Sequence, residues 1–457
     1  MPGSEVSRRQ FLRTAGAGAV GVAAAAAFPK LSGPKGAALF DESIDHAKIA
    51  GSLELWDVTA APSIPGEQAQ SAFYGKYLPQ RFPKLNLNYT LLGYSDEATK
   101  ITVAWRASSK PDIARLTIAS ASQFVDEGLC AEITEEQLGI PLNQFHPVAL
   151  ESVRKNGAGK GPIYGVPTNN EAMILLYNKS LFQQAGLDPS KPPSTWAELM
   201  SMAKTITQKT GSYGYGMCAQ INNGNTPYRF MPQCWANGGE IFDELSHYPT
   251  WKKIGIGNSG TVETLSQWNQ MYNIDHSVQP SALGDNENNV ETLFLDGKVA
   301  MCIDHPSFAR QVVVQAPNLD MGAAMLPAGS LRKAVVQGGW SLHIRKDSRN
   351  KAAALAVIKQ YVGNSYWNCR LGILGGSAPA TISARASKWN DYFAHKMEPY
   401  YQMSLNMLPY AVSVPLVSSS TQIWNILLPT MIQTVLTGKQ SPKDAAASAA
   451  SQIKSMI

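Results

Sequence analysis

Cysteine is scarce in this chain: Cys130, Cys218, Cys234, Cys302 and Cys369 are the five in 457 residues, and none is spaced as C-x-x-C. That excludes a thioredoxin-type redox pair and a zinc ribbon. The odd count leaves at least one thiol unpaired. All five are read first as small core residues, with one disulfide somewhere left open for an oxidising compartment. Histidine is equally sparse, seven residues isolated from one another, so no local metal cluster is expected. The chain has no P-loop, no H-E-x-x-H and no G-x-S-x-G. The signatures of P-loop nucleotide hydrolases, zincins and serine hydrolases are therefore missing. Two stretches do match G-x-G-x-x-G. "GAGAVG" from Gly16 lies in an N-terminal small-residue run, and "GIGNSG", Gly255 to Gly260, follows "HYPTWKK" rather than an apolar strand. A dinucleotide fingerprint needs strand, turn and helix in that order, so both are read as composition or loop.

A strong charge of one sign is lacking too. The net charge is +5 with 16% charged residues, and the Lys and Arg are scattered. No basic run interleaved with aromatics points to nucleic acid. Nor does any stretch past the N-terminus approach the ~20 apolar residues of a membrane-spanning helix. What remains is an ordinary globular balance, 44% hydrophobic, in a chain long enough for two or three domains.

The N-terminus carries the strongest local signal. "SRRQFLR", Ser7 to Arg13, precedes "TAGAGAVGVAAAAAF", with small residues near Ala25 to Ala27. A positive start, an apolar run and a small-residue end make residues 1–30 a signal peptide. Arg8 and Arg9 with Phe11 and Leu12 resemble the twin-arginine export signal, which implies folding before export and the twin-arginine machinery as a partner. No Cys closes the apolar run, so no lipid anchor is expected. The mature chain is expected in the periplasm or otherwise outside the cytoplasmic membrane. Residues 31–50, rich in Pro, Gly, Ser and Lys, read as a flexible lead.

From there strands and helices alternate. "GSLELWDVT" reads as a strand, then a helical segment with Phe73, Tyr74, Tyr77 and Leu78 is expected to end before Pro79 and Pro83. "LNLNYTLL" alternates from Leu85 as a second strand, "ATKITVAWRASS" reads as a helix and "PDIARLTI" as a third strand. This order argues an α/β layer structure. Thr195 caps a helix to Thr210, Glu198 completes its capping box and Gly211 stops it. "TQIWNILLPTMIQTVLTG" is helical to Gly438, and Ser441 caps a last helix with Pro442 at its first position.

The stretch "IYGVPTNNEAMILLYNKSLFQQAGLDPSKPPSTWAEL" is highly ordered but shows no nucleophile–base pair. It resembles the signature of bacterial extracellular solute-binding proteins of the carbohydrate class, which feed ABC importers. "YGVP", "LLYNKSLF", "AGLD" and "PPSTWAEL" carry the resemblance. "LFLDGKVAMCIDHPSF", "VVQGGWSLHIRKDSRNKAAALAVIKQYV", "GGSAPATISA" and "TVLTGKQSPKDAAASAASQI" extend it in order over nearly all the mature chain. The resemblance implies a two-lobed periplasmic-binding-protein fold of type II-like form: two α/β lobes joined by hinge strands, with the ligand cleft between them. Residues 51–170 plus 303–344 would form lobe 1, and 171–302 plus 345–457 lobe 2. Crossings would fall near Glu171 to Ile174, Met301 to Asp304 and Ile344 to Lys346.

The implied function is capture of a carbohydrate, polyol or sugar derivative by hinge closure, with delivery to the membrane permease subunits of an ABC transporter. No catalysis, cofactor or metal is called for, and a monomer is expected. A sugar offers C–H faces to aromatic planes and hydroxyls to fixed polar groups. Candidates follow from strand ends and from the family pattern. Trp56 and Asp57 end the first strand, and Tyr94 follows the second. Asn170 and Glu171 stand at the presumed hinge, with Glu171 accepting from sugar hydroxyls. Tyr228 lies in "NTPYRFMPQCWANGG", which resembles the family segment bearing a stacking aromatic; Trp235 and Asn237 share that stretch, and one of the two aromatics is expected in the core. Asp304 follows "VAMCI", and Gly338, Gly339 and Trp340 follow another strand, where the glycines permit close ligand approach. Arg370, near "GILGG", is a candidate for a hydroxyl or an anion, with surface pairing as the alternative. Tyr177 of "YNK" is expected to be structural. A related receptor for a polyamine, metal or anion remains an alternative, as does an exported carbohydrate-active enzyme, which would need two carboxylates at catalytic separation.

Overall fold

The computed structural model describes residues 48–58, 64–93, 97–155, 161–242, 253–414 and 417–457. The expected signal peptide, all but the last three residues of the lead, and Tyr94 lie outside them.

Twelve strands organise the described residues. They are β1 Ala50–Val58, β2 Lys84–Leu92, β3 Ile113–Thr117, β4 Val166–Pro167, β5 Asn169–Asn170, β6 Ile174–Asn178, β7 Met301–Asp304, β8 Met321–Ala324, β9 Val335–Val336, β10 Trp340–Ile344, β11 Ala378–Pro379 and β12 Ala411–Val412. One sheet has the order β2-β1-β3-β10-β4, with β1 parallel to β2 and β3, and β10 antiparallel to β3 and β4. A second has the order β7-β6-β8, antiparallel throughout. The expected strands at Leu53, Leu85 and the "DIARLT" stretch are β1, β2 and β3, and the helix Glu97–Arg106 joins the last two.

Each sheet builds its own core. Leu53, Leu55, Ile113, Leu342 and Ile344 bury together with Val357 and Tyr361 of the helix Lys351–Gly363. In β6 all five residues of "ILLYN" are buried. Period-two alternation sends Ile174 and Leu176 to one apolar cluster, with Cys302 and Phe308, and Leu175 and Tyr177 to another, with Met301 and Ile303. A strand covered on both faces reads as one continuous apolar run. Tyr177 is structural: its ring packs on Phe182 at 5.1 Å between centroids, and its hydroxyl donates to the Pro189 carbonyl. All five cysteines are buried and free.

The chain passes from the first sheet to the second between β5 and β6, and returns between β8 and β10. Segment 303–344 is shared: β8 pairs with β6, whereas β10 pairs with β3. At the outward crossing, Glu171 and Gly338 exchange backbone hydrogen bonds in both directions.

One expectation fails instructively. The helix does not end before Pro79; it runs from Ile64–Ala72 through a wide π-turn, Phe73–Tyr77, into Leu78–Arg81 and stops before Pro83. Proline in a helix removes a hydrogen bond and drives its ring against the carbonyl four residues back. The π-turn, in which the Leu78 N–H reaches the Phe73 carbonyl, relaxes that turn just ahead of the ring. The same device recurs in the helix that ends at Leu436: a π-turn at Ile423–Leu427, then Leu428 and Pro429.

Caps behave as local chemistry dictates. Thr195 accepts from the Glu198 N–H while the Glu198 carboxylate accepts from the Thr195 N–H, and Gly211 closes the helix at φ 76°. Ser441 caps Pro442–Met456. Thr195→Ala is expected to cost about 1 kcal/mol, measured as a lower urea midpoint with unchanged slope. An unchanged midpoint would show that the box adds nothing to stability.

Candidate ligand-binding cleft

Side chains from both sheets converge on a cavity of about 300 Å³. From the five-stranded sheet and its helices come Val58, Arg115, Thr117, Trp340 and Tyr361. From the other side come Tyr228 and Arg229 of the helix Asn225–Ala236, Glu287 and Glu291 of the helix Glu287–Leu295, and Asp304 at the end of β7. The crossing strands supply Asn169, Glu171 and Gly339, and Ser377 follows the helix Ser365–Leu374.

Of the residues nominated from sequence, the cavity gathers Glu171, Tyr228, Asp304, Gly339 and Trp340. Glu171 accepts from the Ser377 hydroxyl at 2.8 Å. It lies flat across the crossing because residue 338 is glycine: a Cβ there would come within 2.4 Å of the Glu171 Cγ. Gly339 has φ +141° and would bring a Cβ within 2.7 Å of the Asn169 carbonyl oxygen, so glycine is required on both counts. Tyr228 meets Trp424 edge to face at 5.5 Å. Burial, then the charges of Glu171 and Glu97, push its phenol up, so it stays a hydrogen-bond donor.

The other nominees lie elsewhere, for physical reasons. Asn170 sits between Asn169 and Glu171, which both line the cavity, so alternation turns it away. It is fully buried, and neither amide atom has a hydrogen-bond partner. Trp56 packs against the cluster of Leu92, Ile101 and Trp105. Trp235 is core, stacked on Trp424 at 6.3 Å. Asn237 is a structural tie, donating to Thr264 and Gln267 and accepting from the Ser330 N–H. Arg370 lies on a separate surface depression, its guanidinium over the Trp367 ring and donating to the Tyr366 hydroxyl.

Asp57 acts from behind the cavity. It is wholly buried and accepts from Tyr74, Gln70, the Val58 N–H and, at 3.1 Å, Arg115. So anchored, the Arg115 guanidinium lies 5.0 Å from the Trp340 ring centroid and 5.9 Å from that of Tyr361. On the other wall Arg229 is fully committed: to Asp304 at 2.9 Å, to the Ile303 carbonyl and to Asn225. These buried arginines were missed from sequence, although an Arg inside the apolar strand "DIARLT" was the available signal. Glu287 and Glu291, one helical turn apart, also line the cavity and were not nominated from sequence.

The profile of the bacterial extracellular solute-binding protein family matches residues 63–365. A protein of Brucella abortus named only as a binding protein is 27% identical over 418 residues, covering 90% of this chain and 95% of its own length. The GacH receptor of Streptomyces glaucescens, solved unliganded and with acarbose, superposes with a TM-score of 0.76 at 23% identity, covering 89% of this chain and 98% of its own. An ABC transporter solute-binding protein of Thermotoga lettingae bound with α-D-tagatose gives a TM-score of 0.74 at 25% identity, over 89% of this chain and 99% of its own.

Beneath the cleft wall, Glu97 is 2% exposed and accepts from the Thr117 N–H and the Ser120 hydroxyl. Burial outweighs those bonds and pushes its carboxyl up to about 7. An acid whose folded pKa is raised stabilises the fold fully below its unfolded value, and that contribution is lost as pH rises through 7. Glu97→Gln should therefore gain on the parent between pH 5 and 8, by up to about 3 kcal/mol, in parallel thermal melts. A pH-independent difference would refute the buried, neutral Glu97.

Proposed function

The chain belongs to the bacterial extracellular solute-binding protein family, and from that premise we propose that it captures a carbohydrate or polyol in the cleft between its two lobes and delivers it to an ABC permease. The observation that carries the reading is the pairing, within one cavity, of an aromatic plane with fixed polar groups. Trp340 offers a face for sugar C–H groups, and Glu171, Asn169, Thr117, Tyr228 and Ser377 surround it with acceptors and donors. A buried polar group left without its partner costs about 1–3 kcal/mol, so such a lining discriminates hydroxyl patterns. A cavity of about 300 Å³ lies at the small end of ligand sites, which favours a short ligand over a long oligosaccharide. GacH and the Thermotoga lettingae protein, solved with acarbose and with tagatose, support the same class.

Capture proceeds by closure about the crossing strands. We assign β1–β4 and β10 with the helix Lys351–Gly363 to one lobe, and β6–β8 with their helices to the other. Of the three expected crossings, this assignment keeps the one near Glu171 and takes the return near Gly338 in place of those near 301–304 and 344–346. Closure removes water and strengthens each polar contact. Export by the twin-arginine route, to a site outside the cytoplasmic membrane, belongs to the same reading and rests on Arg8 and Arg9. No helix among the described residues is long and apolar enough to cross a membrane.

A thermal-shift screen of the purified chain against sugars, polyols, polyamines and phosphate esters tests the class, since a ligand that binds only the folded state must raise the melting temperature. A rise with one sugar family, the sugar recovered intact, is expected; a rise with phosphate esters alone would discard the carbohydrate assignment. Trp340→Ala and Glu171→Ala should each weaken that sugar at least about tenfold by calorimetry, with the circular dichroism of the fold retained. Parental affinity in both variants would sink the assignment of these two residues.

A further inference from the structure

The charged groups of the cleft do not balance. Arg115 and Arg229 line it, against Glu171, Glu287, Glu291 and Asp304. Both arginines are already matched, by Asp57 and by Asp304, and Glu171 takes the Ser377 hydroxyl. Glu287 and Glu291 have no ion pair or side-chain hydrogen bond among the described residues. The Glu287 Oε2 is sealed from solvent without a partner. Resting on the ligand cleft described above, we propose that Glu287 and Glu291 are specificity residues that select a ligand carrying a protonated amine, an amino sugar or amino polyol, and reject phosphorylated or carboxylated analogues.

The placement supports this beyond the count. Glu287 opens its helix, where the dipole alone favours a carboxylate. Glu291 lies one turn further in and has no such reason to be acidic. A buried carboxylate without a partner is costly and tends to keep its proton. Burial, with the neighbouring Asp304 and Glu287 charges, raises Glu291 well above the ordinary carboxylate range, although Arg229 opposes the shift. Without a cation beside it Glu291 thus holds its proton, and a cation seated there draws it back to the charged form. An ammonium group supplies the missing charge and several N–H donors together. The two acids stand at i and i+4, about 5–6 Å apart at Cβ, a span one ammonium can bridge. A bare metal ion is the poorer occupant, because among the described residues no three Asp, Glu, His or Cys side chains converge as ligands. An anion would bring a further negative charge to a wall already carrying more carboxylates than arginines. Arg229 is fully committed, and Arg115, paired to Asp57 through Nη1, is left with an Nε donor that has no partner among the described residues.

Calorimetry on the full chain at pH 7, with glucose, glucosamine, glucose 6-phosphate, sorbitol, 1-amino-1-deoxysorbitol and spermidine, tests the proposal. In at least one neutral–amino pair the amino member should bind at least about tenfold tighter. That ratio should fall toward one in Glu287→Gln/Glu291→Gln, and in Glu291→Gln alone should the double variant fold poorly. A neutral sugar binding as tightly as its amino partner, or glucose 6-phosphate binding tightest, overturns the inference and leaves the carbohydrate reading standing. Spermidine binding with no sugar binding discards the carbohydrate reading but keeps selection for a cation. No heat from any cationic probe overturns the inference.

Discussion

Glu171 and Gly338 exchange two backbone hydrogen bonds where the chain passes between its two sheets, and the rest of the cleft depends on that crossing. The pairing fixes the phase of both strands. Glu171 and Asn169 then face the cavity on one strand, and Gly339 and Trp340 reach it on the other. A side chain at 338 would displace the Glu171 carboxylate, and one at 339 would strike the Asn169 carbonyl. Two glycines in succession are therefore the condition for placing an acceptor beside an aromatic face at this crossing. On the proposed reading, the same crossing would serve as hinge and as site, so that closure on a ligand would be felt by both lobes.

Around that crossing the protein holds its charges from behind. Asp57, at the end of β1, gathers four donors and so holds Arg115 against Trp340. Arg229 ties the helix Asn225–Ala236 to β7 through Asp304 and the Ile303 carbonyl. Buried pairs of this kind add little net stability but cost much when one partner is removed, so they specify position. Arg229 spends its charge inside the protein, Arg115 turns one nitrogen to Asp57, and carboxylates, hydroxyls and ring faces make up much of the rest of the cleft lining.

Much of the fold was legible because its determinants are local. An apolar run marked β1 and alternation marked β2, while the Thr195 capping box, the Ser441 cap and the terminal Gly211 and Gly438 marked helices. The break expected at Pro79 failed because a π-turn absorbs the ring, a backbone adjustment with no residue signature of its own. The site was legible only in part. Asn170 and Asn169 differ by one residue in phase, and phase is set by the partner strand. Tyr228 and Trp235 share a helix buried on every side, so periodicity could not separate the lining ring from the core ring. Arg115 and Arg229 owe their places to carboxylates 58 and 75 residues away in the chain, and no local pattern reports such pairs.

The crystal structure of the chain grown with the sugar found in solution screening is the most direct measurement. The account predicts the ring seated against Trp340, a hydroxyl donating to Glu171, and the two lobes closed about the Glu171–Gly338 crossing. A sugar held at the surface depression around Arg370 and Tyr392, with this cleft empty, would contradict it.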